Sequence, residues 1–232
     1  MKRVAFHNLG CKVNAYELDI MRQKLTEAGY VTVPFDSEAD IYVINTCTVT
    51  NIADRKSRQM IHRAKHLNPD AKVIAVGCYV ETDPEKVRED GAVDLAIGNN
   101  KKGEIAELLD LFLKGEDPGR DKTLGGKTKT DLTCRPSFED MQLTSPGHTR
   151  AYIKIQDGCS QFCSYCIIPY ARGRIRSRSP EEILKEVQGL VGKGTKEIVL
   201  TGIHISSYGL EWDGNAGRAG ELRRFRPQTP SS

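Results

Sequence analysis

Apolar positions along this chain come in short runs separated by stretches of helical period. Residues 4–9 form one such run, ending in Gly10-Cys11. Asn14 with Glu17 three residues on has the form of a capping box, and Leu18, Met21 and Leu25 then recur at helical spacing as far as Gly29. Ile41-Tyr42-Val43-Ile44 reads as a second buried strand, running into Asn45-Thr46-Cys47, and a helix is predicted over 52–67, closed by Pro69. Val73-Ile74-Ala75-Val76 is a third strand and leads into Gly77-Cys78, after which residues 94–97 and a helix over 104–114 complete the pattern. Strands and helices in alternation predict an α/β fold, a doubly wound parallel sheet over residues 1–114.

A linker is expected over 115–149, which holds Gly125-Gly126-Lys127, several Pro and Thr, and little periodicity. Beyond it Ala151-Tyr152-Ile153-Lys154-Ile155 alternates as a strand. Ser179-Pro180-Glu181-Glu182 opens a helix with a capping serine and Pro at its first position, and Ile183, Leu184, Val187, Leu190 and Val191 supply its apolar stripe. Ile198-Val199-Leu200 is the next strand, leading into Thr201-Gly202-Ile203-His204. Residues 150–212 therefore read as the start of a parallel β/α barrel, with the last strand an uncovered edge. From 213 to 232 the chain becomes rich in Gly, Arg, Pro and Ser without period, a composition that predicts a disordered tail.

Hydrophobic residues at 38% and charged residues at 28% are those of a globular soluble protein. No apolar run approaches the roughly 20 residues that span a bilayer, and the first residues lack the apolar core of a signal peptide. Seven cysteines, an odd number, argue for a reducing compartment and metal use rather than disulfides, with the cytoplasm as the expected location and no membrane partner.

Those cysteines are the strongest chemical signal. Cys159, Cys163 and Cys166 have the spacing C-x3-C-x2-C, three thiolates with no fourth close by. A closed zinc tetrahedron needs four protein ligands, whereas a 4Fe–4S cluster on three cysteines leaves one iron open to a non-protein ligand. The competing assignment is a zinc site closed by His148 or by a distant cysteine. Cys11, Cys47 and Cys78 each follow a predicted strand, so in a parallel sheet all three lie on one edge, where open α/β sheets place ligands. Three thiolates gathered there would bind a second such cluster; the alternative is three buried free cysteines. Cys134, in the linker, shares none of this setting. The net charge of +3 says little, but residues 150–178 hold six cations against one carboxylate. Arg172, Arg174, Arg176 and Arg178 alternate directly after the cysteines and suit contacts to phosphate, unless they are simply a solvated charged loop.

The run from Ile155-Gln156-Asp157-Gly158-Cys159 through Cys166 to Arg178 resembles the radical S-adenosylmethionine (SAM) methylthiotransferases. So do Leu9-Gly10-Cys11-Lys12-Val13-Asn14, Asn45-Thr46-Cys47-Thr48-Val49-Thr50 and Val76-Gly77-Cys78-Tyr79. Within that family, Asn-Thr-Cys-Thr-Val-Thr, Ile-Gln-Asp-Gly-Cys and Leu200-Thr201-Gly202-Ile203-His204 favour the branch that modifies tRNA N6-threonylcarbamoyladenosine. They disfavour those acting on isopentenyladenosine or on a ribosomal protein.

The resemblance implies two 4Fe–4S clusters. One, on Cys159, Cys163 and Cys166, would bind and cleave SAM to a 5′-deoxyadenosyl radical, with Tyr165 against the adenine and Gly202 and His204 near the SAM amino group. The other, auxiliary cluster on Cys11, Cys47 and Cys78 would carry the sulfur that, methylated by a second SAM, is inserted at carbon 2 of the adenine. The implied partners are tRNA, held at its phosphates by the four arginines, SAM, and a reductant such as flavodoxin or ferredoxin. The family continues with further β/α units and a small RNA-binding β-domain, so the change of composition after Trp212 reads as a truncation or frameshift. It predicts weak or no activity for this polypeptide. The alternative function is a non-catalytic iron–sulfur or metal-binding module with weak RNA affinity; SAM cleavage under strong reductant separates the two.

Overall fold

The computed structural model describes residues 1–116, 137–139, 141–145 and 150–212. Cys134, His148 and the 213–232 tail lie outside the described residues. The first 113 residues run β1 (Arg3–Asn8), α1 (Lys12–Glu27), β2 (Val31–Val33), β3 (Ile41–Thr46), α2 (Asn51–Leu67), β4 (Lys72–Gly77), α3 (Cys78–Thr82), α4 (Pro84–Glu89), β5 (Leu95–Ile97) and α5 (Ile105–Leu113), with a 3-10 turn at Asn99–Glu104 between the last two. The five strands form one parallel sheet in the order β2-β1-β3-β4-β5.

Why these runs become strands is visible in their two faces. Val4, Phe6, Val43, Ile74 and Val76 point to a core shared with α1 and α5, while Ala5, Tyr42, Ile44, Val73 and Ala75 point to one shared with α2. A sheet covered on both sides needs apolar residues at successive positions, which is why these strands read as unbroken runs. β2, α3 and α4 were not expected. β2 is three residues long and largely exposed, too short for a period to be read.

α1 departs from expectation at its start. Its N-cap is Cys11, without a side-chain cap, so Asn14 and Glu17 lie within the helix and are buried rather than forming a capping box. The reason is that α1 is covered on two sides. Leu18, Met21 and Leu25 face the sheet, whereas Tyr16 and Ile20 pack on Ile153, Ile155, Ile183 and Leu190 of the second half. Polar side chains between the two stripes are enclosed by the meeting of the halves.

That second half contains β6 (Arg150–Lys154), β7 (Gln156–Asp157), α6 (Ile168–Arg172), β8 (Arg176–Ser177), α7 (Pro180–Gly192) and β9 (Glu197–Thr201). β6 and β9 pair in parallel across α7, the opening of a β/α barrel. β7 and β8 pair antiparallel, a short ribbon with no apolar period to announce it. The Ser179 cap is as expected, with its Oγ accepting from Glu182 N–H at 3.3 Å. Among the described residues β9 pairs only with β6, and Leu200 on it stays 47% exposed. The described part of the expected linker is not merely a connector: Met141 and Leu143 enter the third core, and Leu143 N–H donates to Glu186 at 2.8 Å.

Candidate functional site

β1, β3 and β4 deliver Cys11, Cys47 and Cys78 to the carboxyl edge of the sheet, around the switch point where the chain winds to β2 on one side and β3 on the other. The strand-to-cysteine turns are tight. Gly10 has φ of 103°, and a Cβ there would lie 2.9 Å from both Cβ and Sγ of Cys47; Gly77 has φ of 100° and would meet the Thr46 carbonyl at 2.8 Å. Asn14 Nδ2 donates to the carbonyls of Leu9 at 2.7 Å and Thr46 at 3.1 Å, tying the Cys11 and Cys47 loops together. Asn99 Nδ2 lies 3.8 Å from Cys78 Sγ and donates to the Ala171 carbonyl at 2.7 Å.

The three cysteines line one cavity of about 320 Å³, closed from the other half by Ile168, Arg172 and Thr201-Gly202-Ile203. Burial pushes the Cys47 thiol up, and Cys78 and Cys11 add to that push. Among the described residues no three His, Cys, Asp or Glu are gathered as a ready site for a single ion. Thiols spread around a cavity, with soft sulfur donors and a glycine cradle, fit a polynuclear iron–sulfur group.

The second set of cysteines sits on one loop. Cys159 is buried, Cys166 partly so and Cys163 exposed. The loop leaves β7 through Gly158, with φ of 68°, where a Cβ would be 2.1 Å from the Arg174 carbonyl oxygen. Asp157 Oδ1 accepts from Gly158 N–H at 2.8 Å, and Cys166 N–H donates to the Cys163 carbonyl at 2.9 Å. Phe162 takes a left-handed φ of 48°, with the Arg174 guanidinium 5.1 Å over its ring. Buried Gln156 joins this loop to the segment after β9. Its Nε2 donates to the carbonyls of Asp157 and Gly158, while its Oε1 accepts from His204 N–H at 2.8 Å. A Cβ at Gly202 would come within 2.9 Å of that same Oε1. Tyr165 is 92% exposed beside the cysteines, and the His204 ring lies 2.6 Å from Ser207 Oγ through Nδ1.

The arginine strip does not form a phosphate-facing surface. Arg172, Arg176 and Arg178 are buried, and only Arg174 is partly exposed. Arg172 Nη1 donates to Glu17 Oε1 and Asp157 Oδ1, both at 3.0 Å, and Nη2 to Glu17 Oε2 at 3.2 Å and to Asn14 Oδ1. Lys102 and Lys154 reach Glu17 at 2.5 and 2.9 Å, and Arg176 reaches Asp157 at 3.0 Å. Arg178 pairs with Glu186 at the back of the third core. Buried ions persist only when paired. Burial alone would raise the Glu17 carboxyl; Arg172, then Lys102 and Lys154, hold it far below the usual carboxylate range. Asp157 is likewise held low against burial, by Arg172, Lys154 and Arg176.

Comparison with known proteins agrees with both halves of this picture. Residues 3–98 match a family described as the uncharacterized protein family UPF0004, and residues 153–220 match the Radical SAM superfamily. The threonylcarbamoyladenosine tRNA methylthiotransferase MtaB of Bacillus subtilis is 46% identical over 211 residues, covering 90% of this chain and 45% of its own length. The protein of the same name from Aquifex aeolicus is 43% identical, covering 91% and 50%. The chain carries a Radical SAM domain and is similar over about nine-tenths of its length to radical SAM methylthiotransferases. It spans about half the length of the curated relatives it matches. Among solved structures, the radical SAM methyltransferase TsrM from Kitasatospora setae aligns with a TM-score of 0.56 at 17% identity, over 89% of this chain and 49% of its own. At that identity the likeness is one of fold, and it fits an α/β chain ending within an incomplete barrel.

The structure gathers Cys11, Cys47 and Cys78 on one cavity and keeps Cys159, Cys163 and Cys166 on one loop. It sets Gly202 and His204 beside that loop. It does not gather the arginines on a surface. Asn14, Gln156 and Asp157 stood in the motif runs but were given no role in the site, and Glu17, Lys102 and Lys154 were missed as parts of it; Glu17 left only the trace of a charged residue beside the apolar stripe at Leu18.

Proposed function

We propose that this protein is a tRNA N6-threonylcarbamoyladenosine methylthiotransferase, adding a methylthio group to carbon 2 of the modified adenosine next to the anticodon. The observation that carries the reading is the pair of three-cysteine sites, one on the sheet edge and one on the loop after β7, joined through Arg172, Asp157 and Glu17. The substrate named for the relatives at 46% and 43% identity supports the choice of tRNA base. When bound, the clusters supply the chemistry: SAM cleavage by one electron at Cys159, Cys163 and Cys166, and the inserted sulfur at Cys11, Cys47 and Cys78.

The protein's own part is position and exclusion. Gln156 fixes Gly202 and His204 against the cysteine loop, where the SAM amino group would bind, and exposed Tyr165 offers a ring for the adenine. Ile168 and Ile203 supply apolar wall to the first cavity. With Arg172, Arg176 and Arg178 turned inward, the tRNA phosphates must be met by other side chains. tRNA, SAM and a flavodoxin- or ferredoxin-like reductant would place this work in the cytoplasm. No helix among the described residues is long and apolar enough to cross a membrane.

The test is iron and acid-labile sulfide content after anaerobic reconstitution, on the 232-residue chain and on its Cys159/Cys163/Cys166→Ala variant. About eight irons, falling to about four in the variant, is the expected result. It would be followed by release of 5′-deoxyadenosine from SAM and methylthiolation of threonylcarbamoyladenosine-bearing tRNA. Four irons unchanged by the substitution would leave a metal-binding module, and zinc in place of iron would overturn the reading.

A further inference from the structure

Arg172 carries a charge that the sequence pattern directed to phosphate, and the fold buries it in the wall of the sheet-edge cavity. It is 2% exposed and lines the same cavity as Cys11, Cys47 and Cys78. Its fork is held rigidly by acceptors from both halves: Glu17 and Asn14 on α1, and Asp157 at the start of the second cysteine loop. Asn14 in turn holds the carbonyls before Cys11 and Cys47.

The groups in contact are unevenly charged. Four cations (Lys102, Lys154, Arg172 and Arg176) share two carboxylates, Glu17 and Asp157. Neither carboxylate lines the cavity, whereas Arg172 does. Two further buried carboxyls, Glu81 and Glu139, lie nearby and are pushed up by burial. Cys78 lies close enough to Arg172 to favour its charged form.

We propose that Arg172 is a positioning residue for charge: locked by Glu17, Asp157 and Asn14, its guanidinium faces the iron–sulfur centre on Cys11, Cys47 and Cys78 and raises that centre's reduction potential. The inference rests on the two-cluster reading above. The physical ground is simple. Reduction adds an electron to an already anionic thiolate-ligated centre, and a fixed cation in a water-poor wall favours the more negative state. Net charge and exposure are among the terms that set such potentials.

The experiment uses the full chain carrying Cys159/Cys163/Cys166→Ala, so that any signal comes from the amino-terminal site alone. This parent is compared with Arg172→Gln and Arg172→Lys on the same background, by iron content and by a redox titration followed by electron paramagnetic resonance. All three are expected to hold about four irons. Arg172→Gln should lower the ratio of reduced to oxidised centre about tenfold at a given potential, 59 mV for a one-electron couple. Arg172→Lys should stay within about threefold of the parent. An unchanged ratio in Arg172→Gln overturns the proposal, as does an equal fall in Gln and Lys, which would mean shape rather than charge. Lys102 and Lys154 still pair Glu17 when Arg172 is lost. Should Arg172→Gln nonetheless fail to fold, the Lys variant decides: a retained ratio supports the charge assignment and a tenfold fall overturns it. A parent without iron would overturn the two-cluster reading instead, and that result is distinct because it precedes any substitution of Arg172.

Discussion

The two three-cysteine sites are built in opposite ways. Cys159, Cys163 and Cys166 lie within eight residues on one loop, so sequence spacing alone brings them together. Cys11, Cys47 and Cys78 are brought together by a parallel sheet, and would be scattered without it. The loop site leaves Cys163 and Tyr165 open to solvent, while the sheet-edge site buries Cys47 and Cys78, leaves Cys11 exposed and is walled on one side by the second half. The difference teaches where each site is vulnerable: the loop to backbone geometry, the sheet edge to whatever holds the halves together.

Gly158→Ala is the strongest way to break the comparison. Its Cβ would stand 2.1 Å from the Arg174 carbonyl, a backbone atom that cannot step aside, in a left-handed conformation besides. The expected outcome is loss of about half the bound iron, all from the loop site, with the sheet-edge iron kept. Equal loss from both sites would refute their separate construction.

Glu17→Gln tests the shared element. It leaves Lys102, Lys154 and Arg172 without their common carboxylate, and breaking a buried ion pair from one side costs about 3–5 kcal/mol. Urea unfolding should show that loss, with iron falling at both sites together. The parent should also carry an acid dependence. Glu17 sits far below its unfolded value of 4.5, so its contribution is fully present above that pH and is lost as pH falls below it. A pH series of unfolding free energies should show that slope in the parent and a shallower one in Glu17→Gln.

Ile20→Ala acts on the apolar part of the same seam, since Ile20 is fully buried between α1 and the second half. A large-to-small change there should cost about 2–5 kcal/mol. Leu108→Ala, in the core between the sheet and α5 and away from that seam, should cost a similar amount but leave the sheet-edge iron less affected. Smallest is Ser179→Ala, which removes the cap of α7 and should cost about 1 kcal/mol in urea titration, with the iron of both sites retained.

Much of the architecture was legible because its signals are local. Buried parallel strands write themselves as apolar runs such as Val73-Ile74-Ala75-Val76, and helices as stripes such as Leu18, Met21 and Leu25. The strand-then-cysteine pattern at 11, 47 and 78 was legible for the same reason. β2 and the β7–β8 ribbon were not, being two or three residues long and held by pairing rather than by pattern. The arginines misled because alternation of cations looks the same on a surface as in an interior that supplies its own carboxylates.

The sequence by itself determined the six cysteines, the parallel sheet that collects three of them, and the loop that presents the rest. Only the tertiary structure decided what lies between the two sets. Glu17 and Asp157 stand 140 residues apart in the chain, and nothing in either neighbourhood shows that one guanidinium will satisfy both. The direction a charge faces depends on which distant groups can offset its lost hydration, and that is settled only when the halves close on each other.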